Sequence, residues 1–202
     1  MNLMEMKMLK VITDNEKTKV IYDSEKKIYK KTFYKNKRLR MRLREYFGLK
    51  EYPGINFKKV TDMLTNMNGG GINCPKIVSY ERYEVITEEI KGISLRKYIE
   101  SHSKEESEKI LEIYIENVSK ILKKIIKKNI YYNDFHFENF IITPLKEMYI
   151  IDLEGYTKDL FFLFHKKKML KGILRIISEE KILREKGINP ELIYYKIIEK
   201  IS

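Results

Sequence analysis

The chain has 202 residues, 43% of them hydrophobic and 35% charged, and a formal charge of +12 at neutral pH. That is enough apolar material for one good core or two small lobes, and it excludes a low-complexity or disordered class. The single cysteine, Cys74, excludes an internal disulfide and suits a reducing compartment. The opening MNLMEMKMLK lacks the apolar centre of a signal peptide, and no run approaches the about 20 residues of a membrane span. A cytoplasmic location is therefore expected.

Taken in order, residues 8–33 alternate between β-like runs and polar turns. Met8–Ile12, Thr18–Tyr22 and Lys27–Phe33 are separated by Asp14-Asn15 and Asp23-Ser24, which predicts a three-stranded antiparallel meander. Residues 35–50 then gather Lys35, Lys37, Arg38, Arg40, Arg42 and Arg44 around apolar positions Leu39, Leu43, Tyr46 and Phe47. Their i, i+4, i+7, i+8 spacing predicts an amphipathic helix with a basic face. That face is either simply solvated or a patch for an acidic substrate, a lipid head group or the inner face of an anionic membrane. A helical segment follows over Phe57–Asn66. Gly69-Gly70-Gly71 has no Lys-Ser/Thr or helix start after it, so it reads as a connection rather than a phosphate cradle.

Ile77–Ser79 and Tyr83–Thr87 predict two further strands. Ser103-Lys104-Glu105-Glu106 is a capping box, and it opens a long helix. Its apolar positions Leu111, Tyr114, Ile115, Val118, Ile121, Leu122 and Ile125 keep the helical period as far as Lys128. Beyond Gly155 the apolar spacing predicts two or three more helices over Leu160–Ile177 and Leu192–Ile201, interrupted by Gly187-Ile188-Asn189-Pro190.

Between the long helix and these last helices lies the most informative stretch, Tyr131–Gly155. A polar cluster, Asn133-Asp134-Phe135-His136-Phe137-Glu138-Asn139, leads into the apolar run Phe140-Ile141-Ile142. A turn at Thr143-Pro144 and a second apolar run, Met148–Ile151, end abruptly at Asp152-Leu153-Glu154-Gly155. Two short strands joined by a turn would hold Asp134, Asn139 and Asp152 around a common point, although acids are also ordinary turn residues. The order Asp-x-x-x-x-Asn, hairpin, Asp-x-x-Gly resembles the protein-kinase-like superfamily. The form Asp134-x-His136-x-x-Asn139 is closer to its small-molecule branch than to the protein kinases.

That resemblance implies an α+β, two-lobed protein-kinase-like fold. Residues 1–90 would form a small antiparallel-sheet lobe, and residues 91–202 a mainly helical, compact one. It implies ATP and Mg²⁺, with Asp134 orienting the acceptor hydroxyl and Asn139 and Asp152 holding the metal ion. His136 would support the loop or reach the transferred phosphate; a lone histidine is also often structural. A lysine on the third strand would grip the nucleotide phosphates. Ile28-Tyr29-Lys30 fits that pattern, which selects Lys30, with Lys31 as its rival. A glutamate should pair with that lysine, and Glu51 is preferred over Glu45 from its place just ahead of the Phe57 helix. The segment Thr87–Gly92 reads as the hinge between lobes, with the backbone of Glu88 and Ile90 meeting the adenine edge.

Within the superfamily the chain resembles the bacterial lipopolysaccharide core heptose kinases. The residues that carry the likeness are Lys27–Lys31, Gly48-Leu49-Lys50-Glu51-Tyr52, Glu88–Gly92, Asn133–Ile142 and Ile150–Leu153. The resemblance implies a kinase for a sugar hydroxyl on a glycan or glycolipid. Three departures stand out. Tyr132-Asn133 replace the His-Gly that precedes the catalytic aspartate, Glu154 stands where that family carries serine, and the Asp14–Lys19 turn has no glycine to cover the phosphates. A catalytically impaired pseudokinase and a small-metabolite or aminoglycoside-type kinase are the alternatives. A nucleic-acid partner is suggested by charge alone and is disfavoured.

Overall fold

The computed structural model describes residues 9–34, 51–67, 70–158 and 162–202. The expected basic helix over residues 35–50 lies outside them, as does part of the glycine run. The N-terminal part is a five-stranded antiparallel sheet built from β1 (Leu9–Asp14), β2 (Thr18–Asp23), β3 (Ile28–Phe33), β4 (Ile77–Glu81) and β5 (Glu84–Glu88). Its spatial order is β1-β2-β3-β5-β4. The meander forms because short polar turns reverse the chain. Asp23 Oδ1 accepts the N–H groups of Glu25 and Lys26, and Asn15 Oδ1 those of Lys17 and Thr18.

Helix α1 (Pro53–Thr65) crosses behind this sheet. Pro53 presets its first turn, and Phe57, Val60, Thr61 and Leu64 give it one buried face. Gly54 lets it approach the β4–β5 hairpin, since a Cβ there would sit 2.0 Å from the Glu81 carbonyl oxygen.

The C-terminal part is mainly helical. After β6 (Ile93–Ser94) come α2 (Leu95–Ser101) and the long α3 (Lys104–Lys127). The Ser103 capping box closes as expected, with the Ser103 hydroxyl accepting from Glu106 N and the Glu106 carboxylate accepting from Ser103 N. Helix α3 buries Leu111, Tyr114, Ile115, Val118, Ile121, Leu122 and Ile125 at the centre of the core. Strand β7 (Ile130–Tyr131) leads to a 3₁₀ turn at Phe137–Asn139, then to the hairpin β8 (Phe140–Ile142) and β9 (Met148–Ile150). A second 3₁₀ turn, Leu153–Gly155, precedes β10 (Thr157–Lys158), which pairs with β7. Helices α4 (Phe162–Glu179), α5 (Lys181–Glu185) and α6 (Pro190–Ile201) complete the chain, α6 capped by Asn189 and packed on α3. This is the expected α+β arrangement of antiparallel sheet followed by helices. The strands β6, β7 and β10 are each two residues long, too short to show a period in the sequence.

The two parts are joined at the cleft. Ile150 N donates to Asn73 O at 3.0 Å, so the hairpin of the helical part is tied to the chain that follows α1. Gly92 passes the β8 backbone so closely that a Cβ would lie 2.4 Å from Ile142 O. No helix among the described residues is long and apolar enough to cross a membrane.

Candidate active site

Strand parity decides which lysine faces the cleft. Along β3, Tyr29, Lys31 and Phe33 share one side, and Phe33 is buried in the core. Lys31 sits between Val20 of β2 and Val85 of β5 in the sheet register. Its side chain is only 18% exposed, and it reaches down to Asp152 and, at 2.5 Å, to Glu154 Oε1. Lys30 projects from the opposite face, where it pairs at 2.8 Å with Glu84 and is 44% exposed. The preference for Lys30 is thus corrected in position: the lysine that meets the hairpin acids is Lys31.

The partner expected for that lysine is also elsewhere. Glu51 forms an exposed pair with Lys59 at 2.6 Å and approaches neither Lys30 nor Lys31. Glu45 falls outside the described residues. Helix α1 turns Asn56 toward the site instead, and its Nδ2 donates to the carbonyls of Glu154 (2.9 Å) and Tyr156 (2.5 Å).

Asp152 has φ +67° and ψ +51°, the left-handed region, which costs an L-residue about 1–2 kcal/mol. The conformation turns the chain from β9 into the Leu153–Gly155 turn, where Leu153 is fully buried and anchors the bend. Burial works against ionisation of Asp152. The Lys31 charge, with hydrogen bonds from Glu154 and Lys31, outweighs it and holds the carboxyl below its usual range. Glu154 goes the other way: burial, reinforced by the negative charge of Asp152 and opposed by Lys31, pushes its pKa up to about 7. Its second oxygen, Oε2, is buried with no hydrogen-bond partner.

The Asn133–Asn139 loop is held mainly through its backbone. Tyr114 Oη, on the buried face of α3, donates to Phe135 O at 2.8 Å. Tyr132 Oη donates to Asp134 O at 2.8 Å, and Asn139 Nδ2 to the same oxygen at 3.1 Å. Tyr132 is itself fixed by stacking on Tyr156, with ring centroids 3.7 Å apart. Replacing His-Gly by Tyr132-Asn133 therefore leaves the loop anchored, by an aromatic stack and a phenol hydroxyl. Gly172 of α4 packs on the Asn133 side chain, where a Cβ would lie 2.8 Å from Nδ2 and push the amide aside. From below, Glu180, 2% exposed, binds Arg96 at 2.7 Å and accepts a long hydrogen bond from Phe137 N. Arg96 also lies 3.1 Å from Glu138.

The loop presents Asp134 half exposed, its pKa raised by burial and by the charge of Asp152 against the pull of His136. His136 is at the surface with Nε2 3.6 Å from Asp134 Oδ1. Asn139 spends its amide N–H on Asp134 O, so its Oδ1 is the end left for a ligand.

Lys31, Asp152 and Asn139 line a cleft of about 500 Å³ between sheet and hairpin, and Glu88 and Ile90 line it as well. Four residues expected at a nucleotide site (Glu88, Ile90, Asn139 and Asp152) therefore come together with Lys31. Lys30 and Glu51 do not. The Glu88 side chain turns out to an exposed pair with Lys76, and its N–H is taken by Lys76 O. No backbone hydrogen bond reaches Ile90 among the described residues. The glycine-free β1–β2 turn overhangs the same cleft with Thr13, Asn15 and Thr18. Because Asn15 takes the N–H groups of Lys17 and Thr18, this turn has few backbone donors to offer an anion.

Chemically, the arrangement joins an apolar slot to one buried ammonium group, two carboxylates and an amide oxygen. Sequence reasoning marked Glu154 only as a departure from the family's serine and did not reach Asn56, Arg96 or Glu180. None of these has a local pattern around it. Residues 7–159 match the family model described as the RIO domain, which takes in the sheet, the long helix and the loop through Gly155. No curated protein matches the sequence.

Proposed function

Because this chain belongs to the RIO-domain family, an atypical protein-kinase-like family, we propose that it is an ATP- and Mg²⁺-dependent phosphotransferase acting on a hydroxyl group. The observation that carries this reading is the meeting of Lys31 with Asp152 in a cleft that Ile90 also lines. The division into lobes near residue 90 belongs to the same reading. The match is to the RIO domain and not to the lipopolysaccharide core heptose kinases, so the acceptor class is argued from this chain alone.

The apolar walls around Val20, Val85 and Ile141 suit an adenine ring, and the backbone of Ile90 suits its polar edge. Lys31 is positioned to neutralise the phosphates. Burial of this ammonium disfavours its charge, but Glu154 and Asp152 more than compensate and raise its pKa, so it stays cationic. Asp152 and the Asn139 amide oxygen are hard oxygen donors of the kind Mg²⁺ prefers. Such an ion, when bound, offsets negative charge on the β- and γ-phosphate oxygens. Asp134 takes the proton of the acceptor hydroxyl as that oxygen forms its bond to the γ-phosphorus and the bond to ADP breaks. Positioning supplies most of the rate in such a transfer.

For the acceptor, the charge of +12 favours an anionic partner, and a sugar hydroxyl of an anionic glycan or glycolipid fits it. The charge of the basic stretch 35–50 would then help attract such an acceptor. Water is the second candidate, because Asp134 is 45% exposed and open to solvent.

The test is thermal unfolding with ATP, with and without Mg²⁺. Ligand at about 100 times its Kd adds roughly 2.7 kcal/mol, which is a rise of about 5–10 °C for a chain of this size. The wild type and Lys30→Met should show the rise, and Lys31→Met and Asp152→Asn should lose it. No rise in the wild type at millimolar ATP overturns the reading, as does a Lys30→Met variant that loses as much as Lys31→Met.

A further inference from the structure

In kinase-like sites the strand lysine is held toward the phosphates by a glutamate on the helix behind the sheet. Helix α1 occupies that place here, yet its one acid, Asp62, is exposed and pairs with Lys58. Glu51, just ahead of the helix, pairs with Lys59. Where α1 meets the site it presents Asn56, a neutral side chain that grips backbone carbonyls. Lys31 instead finds its second carboxylate two residues beyond Asp152, at Glu154 Oε1, 2.5 Å away.

We infer that Glu154 is the positioning residue for Lys31, and that helix α1 acts only indirectly, with Asn56 pinning the Glu154 backbone so that its carboxylate faces the lysine. This rests on the ATP-binding reading above. Two carboxylates meet one ammonium group, and they are not equivalent. Asp152 stands beside Asn139 on the cleft and is the one a cation would claim; Glu154 has only 19% of its side chain exposed and lies behind. With Asp152 engaged by a cation, Glu154 is the carboxylate among the described residues that keeps Lys31 extended toward the phosphates. Lysine and metal ligand are then set by one four-residue turn, Asp152–Gly155. A shift of that turn would release both together.

The experiment is a binding titration of Mg²⁺-ATP and of adenosine to the full chain as wild type, Glu154→Gln, Lys31→Met and the double variant. A charge-assisted contact of this kind corresponds to about tenfold to a hundredfold in affinity. Glu154→Gln should weaken ATP by at least about tenfold and leave adenosine within about twofold. The double variant should bind ATP no more weakly than Lys31→Met. Unchanged ATP binding in Glu154→Gln, beside a Lys31→Met variant that loses it, overturns the inference and leaves the nucleotide site standing. Equal loss of adenosine and ATP also overturns it, since that is the mark of a purely structural role. Additive losses in the double variant do the same. A wild type that binds no ATP overturns the nucleotide site itself, and this inference with it.

Discussion

Replacing Glu154 by glutamine should make the protein more stable at alkaline pH while impairing the proposed nucleotide site. The carboxyl has an ordinary value of 4.5 and is raised to about 7 in the fold, by burial first and by Asp152 second. Between those values the folded state holds a proton that the unfolded chain has released. Stability is therefore whole below about pH 4.5, falls as the pH rises, and is fully reduced above about pH 7. At 1.36 kcal/mol per pH unit the loss approaches about 3 kcal/mol. Glutamine resembles the protonated acid in size and charge and cannot ionise. The two proteins should thus be nearly equal in stability at pH 5, and the variant should lead by about 2–3 kcal/mol at pH 8.5. For a chain of this length that is a gap in Tm of about 5–10 °C. Thermal unfolding followed by circular dichroism, wild type beside variant from pH 5 to 8.5, measures it directly. Other titrating groups largely cancel in the difference. Asp152, held below its usual range, stays in both proteins and contributes stability that is lost only as the pH falls through its lowered value. A gap that does not change with pH, or a wild type that gains on the variant as the pH rises, would refute the reasoning. Either would mean that Lys31 keeps Glu154 ionised throughout.

Two further substitutions probe the support of the loop. Tyr114→Phe removes the hydroxyl that donates to Phe135 O in the core and should cost about 1–2 kcal/mol in urea unfolding, whereas an unchanged midpoint would show that the carbonyl finds another donor. Arg96→Ala strips its partner from Glu180, which is 2% exposed, and should cost about 3 kcal/mol; Glu138→Ala, at the exposed end of the same arginine, should cost less than about 1 kcal/mol, and similar losses in both would count against a buried pair.

Much of the architecture was legible because its causes are local. Turn residues separate β1 from β2 and β2 from β3, the Ser103 box opens α3, and the alternation of polar cluster, apolar run and turn from Asn133 to Gly155 marks the loop and hairpin. Each depends on backbone preferences of neighbouring residues, which a sequence displays directly. The order of Asp134, Asn139 and Asp152 also followed from one hairpin, so their convergence needed no distant information. The choice between Lys30 and Lys31 did need it. Adjacent strand residues face opposite sides, and the inner side of β3 is set by where Phe33 finds the core. The burial of Phe33 was the one available clue, and it points to the odd-numbered residues. The partner of that lysine lay further out of reach, because Lys31 and Asp152 are 121 residues apart. Asn56 and Glu154 meet where Gly54 lets α1 close on the β4–β5 hairpin of the sheet and the buried Leu153 anchors the Asp152 turn. Local chemistry thus named the groups on the hairpin. Which lysine they meet, and which glutamate holds it, is set by the packing of the sheet against the helical part, through contacts between residues too far apart in the chain to leave a pattern in it.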